Sequence, residues 1–242
     1  MKNAILCGYH WTGCKALDML LNNNYNVYVY THENPYYVNS LKLFCEKKNV
    51  GYSFDKIKIN NLPFKPDIIC SIYYRNIIHC DVINYCDGKI FNLHPSLLPK
   101  YRGCSSLTWA MINGEEDVGF TFHYLRKTID GGNIILQKKI KIEEFDTQQT
   151  LYDRVMFESM KYFEETLRLV EKGYKGKHNK ISELEYYKRG CPYNGEIDAN
   201  WDINKIERFI RAMICPPLPV AKLIGKEIKT IEEYLKYQGK CL

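Results

Sequence analysis

No Cys-x-x-Cys pair occurs among the ten cysteines, so the chain lacks the basic unit of a zinc ribbon or a thioredoxin-type redox motif. No stretch comes near the ~18 consecutive apolar residues that a membrane span requires. A secretory leader is not expected either, because the apolar run Ala4-Ile5-Leu6-Cys7 after Met1 and Lys2 is too short for one. Together these absences predict a cytoplasmic chain whose thiols serve as core fillers. Gly-x-Gly-x-x-Gly is missing, which leaves a nicotinamide cofactor unsupported. No set of His, Cys and Asp with metal-ligand spacing is present, and no metal is expected. There is no internal repeat and no low-complexity tract. Charge of one sign is also scarce: 34 basic and 28 acidic side chains leave +6. That excess allows an anionic nucleotide or phosphate partner but is too small to demand nucleic acid.

What is present is an ordinary globular composition. Apolar residues make up 45% and charged residues 26% of 242, which excludes a disordered, collagen-like or membrane-embedded chain. At roughly 150 residues per domain the length suggests one full domain and a remainder. Twenty tyrosines suit packing and, at a polar site, stacking.

Hydrophobic patterning changes character midway. Ala4–Cys7, Asn26–Tyr30, Asp67–Ile72 and Lys89–Leu93 read as strands, with a weaker one near Val50–Phe54. A loop, Gly8-Tyr-His-Trp-Thr-Gly13, is expected after the first, then a helix burying Leu17, Leu20 and Leu21, and a second helix over Tyr37–Lys48. Strands alternating with helices at this spacing predict an α/β fold with a parallel sheet and right-handed crossovers. Val118–Leu125 and Asn133–Ile142 then read as two longer strands joined through Asp130-Gly131-Gly132. One long helix is expected over Thr147–Val170, closed by Gly173, and a solvated basic linker over Lys172–Lys180. Pro192-Tyr-Asn-Gly195 signals a turn, and a last helix over Asn204–Ile214 should stop at Pro216, Pro217 and Pro219.

Gly8-Tyr-His-Trp-Thr-Gly13-Cys14-Lys15 is not a P-loop, because Cys14 stands where Lys should follow the glycine and no Ser/Thr follows Lys15. It can offer helix-start amides to an anion, or it can be a plain strand-to-helix turn. The informative segment is Phe91-Asn92-Leu93-His94-Pro95-Ser96-Leu97-Leu98-Pro99-Lys100-Tyr101-Arg102-Gly103. On a strand, Asn92 and His94 share one face. They sit at the C-terminal end of a parallel strand, where open α/β sheets place ligands. An amide and an imidazole side by side at a strand end are a donor and a base aimed at one point. A carboxylate next to the ring would orient it and favour its protonated form. Asp130, ahead of two glycines, is the candidate, although Asp-Gly-Gly is also simply a turn.

Asn92-x-His94, Ser96-Leu-Leu-Pro99, Tyr101-Arg-Gly103 and Asp130-Gly-Gly-Asn-Ile134 together resemble the formyltransferases that use 10-formyltetrahydrofolate. Gly8-Tyr-His-Trp-Thr-Gly-Cys14, Ser71-Ile-Tyr-Tyr-Arg-Asn-Ile-Ile78 and Asn113-Gly-Glu are similar to the branch acting on UDP-4-amino-arabinose. The likeness runs in order from about residue 3 to residue 215. It implies a Rossmann-like, mostly parallel twisted sheet flanked by helices over residues 1–175. Residues 176–242 would be a short C-terminal helix/strand extension in place of the family's barrel-like domain. It implies Asn92, His94 and Asp130 as catalytic residues, and no metal. The folate would lie against the backbone of Asn76, Ile77 and Ile78 and against Arg126, Lys127, Thr128, Ile129 and Asp130. Cys104 replaces an arginine at the folate site, which weakens or removes that contact. His10, Trp11 and Lys15 are candidates for the acceptor's phosphates, and Tyr193 and Trp201, within the basic-aromatic segment from Tyr187 on, for its base.

By family analogy the acceptor is a nucleotide-linked amino sugar, foremost dTDP-4-amino-4,6-dideoxyglucose, of the kind used in lipopolysaccharide O-antigen biosynthesis. Formylation of UDP-4-amino-arabinose or of methionyl-tRNA are the alternatives. The modest charge and the short C-terminal region speak against tRNA. A non-catalytic folate or nucleotide-sugar binder would have no need of the three catalytic side chains. Neither nucleic acid nor membrane is expected as a partner, and a homodimer is expected through the apolar Ala212–Val220 run.

Overall fold

The computed structural model describes residues 1–181 and 186–241. The chain runs β1 (Lys2–Gly8), α1 (His10–Asn22), β2 (Tyr25–Tyr30), α2 (Leu41–Lys47), β3 (Tyr52–Ser53), β4 (Ile68–Ile72), α3 (Cys80–Tyr85) and β5 (Ile90–His94). It continues through β6 (Arg102–Gly103), α4 (Ser106–Ile112), β7 (Asp117–Tyr124), β8 (Ile134–Lys141), α5 (Gln148–Met160) and α6 (Phe163–Glu171). The last elements are β9 (Tyr186–Tyr187), α7 (Ile203–Ala212), β10 (Lys222–Leu223), β11 (Lys226–Glu227) and α8 (Ile231–Cys241). Seven strands form one sheet in the order β3-β2-β1-β4-β5-β7-β8. The first five pair in parallel, and β7 pairs antiparallel to β5. This is the mostly parallel α/β sheet that the strand–helix alternation predicts.

The chain divides into two compact units. Unit 1 comprises Met1–His94, Thr121–Gln137 and Met156–Lys180. Its core is the apolar sides of β1, β4 and β5, with Ile5, Cys7, Ile69 and Ile90 joined by Val82 and Ile83 of α3. Those strands are apolar on both faces, as strands covered on both sides must be. Unit 2 comprises Pro95–Phe120, Lys138–Val155 and Ile181–Leu242. Within it α4 packs on α7, which buries Ile206, Phe209 and Ile210.

Several local expectations need correction. Helix α1 begins at His10, because Gly13 already donates its N–H to the Tyr9 carbonyl at 3.0 Å; the expected loop is the helix's first turn. Leu21 is only half-buried on it. The second helix starts at Leu41 rather than near Tyr37, since the Ser40 hydroxyl caps it by accepting the Leu43 N–H. The single helix over Thr147–Val170 is two. Ser159 donates its hydroxyl back to the Met156 carbonyl at 2.7 Å, and Tyr162 leaves helical geometry, which ends α5 and restarts the chain as α6. The expected linker over Lys172–Lys180 is bonded to the edge of β8: Lys177 and Ile134 exchange both backbone hydrogen bonds, at 2.7 and 2.8 Å.

Buried thiols behave as core filler. Cys7, Cys45, Cys70 and Cys86 are buried, and burial pushes the Cys45 and Cys86 thiols up to about 12. They stay protonated and unreactive at neutral pH. Among the described residues no helix is long and apolar enough to cross a membrane.

Candidate active site

The site in unit 1 is built where β5 ends. In the β4–β5 register Ser71 lies beside Asn92, and in the β5–β7 register Asn92 lies opposite His123 and His94 opposite Thr121. Period-two alternation therefore turns Asn92, His94, Thr121 and His123 to one face while Phe91, Leu93 and Phe122 pack on the other. The Asn92 side chain is clamped from both sides. Its Oδ1 accepts from the Ser71 hydroxyl at 2.9 Å, and its Nδ2 lies 3.2 Å from His123 Nε2. His123 Nδ1 lies 2.9 Å from the Tyr124 carbonyl, an acceptor only, which assigns the ring proton to Nδ1. Nε2 is then the lone pair that receives one Asn92 N–H. An amide nitrogen carries two hydrogens, so the second remains for another acceptor.

Asp130 closes the group. Its Oδ2 stands 3.6 Å from His94 Nδ1 and its Oδ1 3.5 Å from His123 Nε2. Both distances are longer than hydrogen bonds, and the approach to the unprotonated Nε2 of His123 is one of proximity and not an ion pair. Both imidazoles are nearly inaccessible and the carboxylate only slightly exposed, so their mutual field is weakly screened. Asp130 is held in the left-handed region, with φ 50°. A non-glycine residue rarely rests there without a constraint. One constraint is Gly132: a Cβ there would lie 1.7 Å from the Tyr124 carbonyl oxygen, so only glycine lets the turn press this close to β7. Tyr124 N–H in turn bonds the Asn133 carbonyl at 2.9 Å.

The structure thus brings Asn92, His94 and Asp130 together. His123 and Ser71 belong to the same constellation and escaped the sequence reading. The Thr121/His123 alternation inside an otherwise apolar strand was the available signal. Asn76, Ile77 and Ile78 follow β4 in the same unit. The Ile78 side chain is in the core, Ile77 is 66% exposed, and Asn76 donates to the Tyr74 hydroxyl at 3.3 Å. Arg126, Lys127, Thr128 and Ile129 form the exposed turn leading into Asp130.

His10 opens α1 with φ 61°, Trp11 beside it is half-buried, and Lys15 is exposed. Around the same strand ends, the Arg75 guanidinium sits 4.4 Å over the Tyr9 ring, and the Arg75 N–H donates to His32 Nε2 at 3.0 Å. Burial, and then the Arg75 charge, hold the His32 pKa below its ordinary value. The hydroxyls of Tyr9 and Thr31 are buried there with no partner among the described residues. Arginine, helix-start amides and unspent hydroxyls form a group suited to an anionic, hydroxyl-bearing ligand.

Cys104, Tyr193 and Trp201 lie in unit 2. The Cys104 N–H is spent on the Tyr187 carbonyl at 2.9 Å. Trp109 and Tyr187 meet at 5.0 Å, Trp109 and Tyr193 at 5.4 Å, and Tyr193 and Trp201 at 4.7 Å between ring centroids. Trp201 is enclosed by Tyr193, Phe209 and the Lys205 ammonium 4.3 Å over its ring. Tyr193, 43% exposed, is the most exposed ring of this ladder, and Trp109, Tyr187 and Trp201 are half-buried. Among the described residues no cluster of His, Cys, Asp or Glu could hold a metal ion.

Residues 28–167 match the family described as formyl transferase. The chain is 41% identical over 165 residues to a protein of Brucella melitensis biotype 1 named GDP-perosamine N-formyltransferase, covering 67% of this chain and 63% of that protein. It is 38% identical over 245 residues to the bifunctional polymyxin resistance protein ArnA of Wigglesworthia glossinidia brevipalpis, covering 93% of this chain and 36% of that one. The chain therefore spans less than two thirds of either relative. Its fold also matches the crystal structure of WlaRD, a sugar 3N-formyl transferase, in the presence of dTDP and 5-N-formyl-THF. The TM-score is 0.79 at 22% identity, over 95% of this chain and 85% of that one.

Proposed function

The chain belongs to the formyl transferase family, and from that premise we propose that it transfers the formyl group of 10-formyltetrahydrofolate to the amine of a nucleotide-linked amino sugar. The observation that carries this reading is the convergence of Asn92, His94 and Asp130, with Asn92 fixed by Ser71 and His123. The acceptor nitrogen adds to the formyl carbon and gives a tetrahedral intermediate with an oxyanion. His94, its Nδ1 edge turned to Asp130, uses Nε2 to take the proton that the nitrogen must shed. It returns a proton to the folate N10 as the carbon–nitrogen bond breaks. Such proton transfer is worth ~10²–10⁴ in rate. Asn92 donates its second amide hydrogen to the oxyanion, an interaction worth ~10²–10³. Asp130 steadies the imidazolium that forms in between.

The folate is assigned to the backbone of Asn76–Ile78 and to the Arg126–Asp130 turn, whose exposed amides and carbonyls suit a ring with alternating donors and acceptors. The WlaRD likeness, with a formyl folate named in that structure, supports the co-substrate. The acceptor's phosphates are assigned to His10, Trp11 and Lys15, with Arg75 over the Tyr9 ring as a further candidate; Tyr193 and Trp201 of unit 2 are the candidates for stacking on its base. dTDP-4-amino-4,6-dideoxyglucose is the acceptor proposed first. The likeness to a protein named for GDP-perosamine makes the GDP sugar the second. A homodimer and a cytoplasmic location go with this reading. The test is mass spectrometry after incubation with 10-formyltetrahydrofolate and a panel of dTDP-, GDP- and UDP-linked 4-amino sugars. A gain of one formyl group on one nucleotide sugar is expected. No gain on any of them overturns the assignment.

A further inference from the structure

Asp130 depends on a segment that the reading above does not use. Residues 174–179 run as a strap across the turn that carries the carboxylate. The Tyr124 hydroxyl donates to the Tyr174 carbonyl, Asn133 Nδ2 donates to the Lys175 carbonyl at 2.9 Å, and Lys177 exchanges two backbone bonds with Ile134. Gly176, with φ 73°, lets the strap lie flat: a Cβ there would stand 2.8 Å from the Ile134 carbonyl oxygen. The strap ends on Asn179, which is 2% exposed and donates Nδ2–H to the Asp130 main-chain carbonyl at 2.9 Å. All of these residues belong to unit 1.

We infer that Asn179 is a positioning residue for the catalytic carboxylate, acting through the Asp130 peptide. The Asp130 carbonyl oxygen marks the plane of the 130–131 peptide. Holding it fixes ψ of Asp130, and with φ already left-handed this sets the direction of the Cα–Cβ bond. In that direction the carboxylate stands 3.6 Å from His94 Nδ1 and 3.5 Å from His123 Nε2. Asn179 gives one of its two amide hydrogens to this bond, while its Oδ1 has no partner among the described residues. The bond crosses 49 residues of sequence, so it ties the turn to the body of the unit and not to its own loop.

This inference rests on the formyl-transfer reading for its kinetic consequence but not for its structural one, and the experiment separates the two. Asn179→Ala and Asn179→Asp both remove the donor, and the second keeps the volume. Gly176→Ala displaces the strap without touching Asn179. For all three, kcat should fall about 10- to 100-fold, the cost of misplacing a reacting group by about 1 Å, with both KM values nearly unchanged. In an Asp130→Asn background the same changes should cost almost nothing more, because the group they position is already gone. Long-range ¹H–¹⁵N spectra of the imidazoles supply a readout independent of turnover. Asn179→Ala and Asn179→Asp should shift the His94 and His123 ring signals in the direction that Asp130→Asn shifts them. Unmoved ring signals in the folded variants overturn the inference, as do losses that simply add to that of Asp130→Asn. A wild-type protein that formylates no sugar overturns the functional reading alone, and the ring signals then decide this one.

Discussion

In unit 1 the side chains of Asn92, His123 and Asp130 are held by directional bonds and by main chain pressed against main chain. In unit 2 Trp109, Tyr187, Tyr193 and Trp201 hold one another by the faces and edges of their rings. The first arrangement fixes atoms: a hydrogen bond loses its strength over a few tenths of an ångström and a few tens of degrees. The second fixes a surface, since offset and edge-on ring pairs tolerate a spread of distances from 4.5 to 7 Å at similar energy. Proton transfer needs the former. Holding a flat heterocycle needs only the latter. On the proposed reading the first kind of contact serves proton transfer and the second serves stacking on a base, and substitutions can break that contrast.

The largest effect is expected for His94→Asn, which should cost ~10²–10⁴ in formylation rate while folate binding, followed by ligand fluorescence, stays nearly intact. A His94→Asn protein that retains its rate removes the contrast at its root. Asn92→Ala should cost ~10²–10³ in kcat. Ser71→Ala should cost less, because it frees one end of the Asn92 amide without removing its donors. Tyr193→Ala should instead raise KM for the nucleotide sugar, by the equivalent of about 1–3 kcal/mol lost with one aromatic–base contact, and leave kcat alone. A fall in kcat there would show that the ladder does more than recognise.

The smallest effect is on pH dependence. The His32 pKa is held down in the folded protein by burial and by Arg75. The unfolded chain, with an ordinary value near ~6.5, therefore takes up this proton first as pH falls. The stability linked to neutral His32 is full above that value and is lost as pH drops through the folded one. Protonation also removes the acceptor for the Arg75 N–H. Thermal unfolding between pH 7.5 and 5.5 should show a decline that His32→Gln flattens; an equal decline in that variant excludes His32 as its source.

Much of unit 1 was legible because its information is local. Ile68–Ile72 and Ile90–His94 announce themselves by composition, and Asn92 and His94 by a spacing of two at a strand end. What escaped was set by tertiary contact. Nothing near Asn179 in the sequence points to a turn 49 residues earlier, and a basic, glycine-bearing stretch reads as linker because its partners are main-chain atoms. The break between α5 and α6 was hidden because the apolar stripe runs through it, and a buried serine hydroxyl decides it. Trp201 suggests a ligand role as an aromatic in a basic segment, and nothing in the sequence announces its contacts with Phe209 and Lys205.

Gly132 and Gly176 place backbone against backbone on both sides of Asp130. Where the carboxylate sits thus depends on close main-chain approaches as well as on the Asn179 side chain, and ordinary surface substitutions leave both untouched. Loops that touch the acceptor can drift and acquire new tastes while the reacting centre stays put. If the proposed acceptor is right, directed evolution of acceptor choice should begin at exposed residues and leave these two glycines alone.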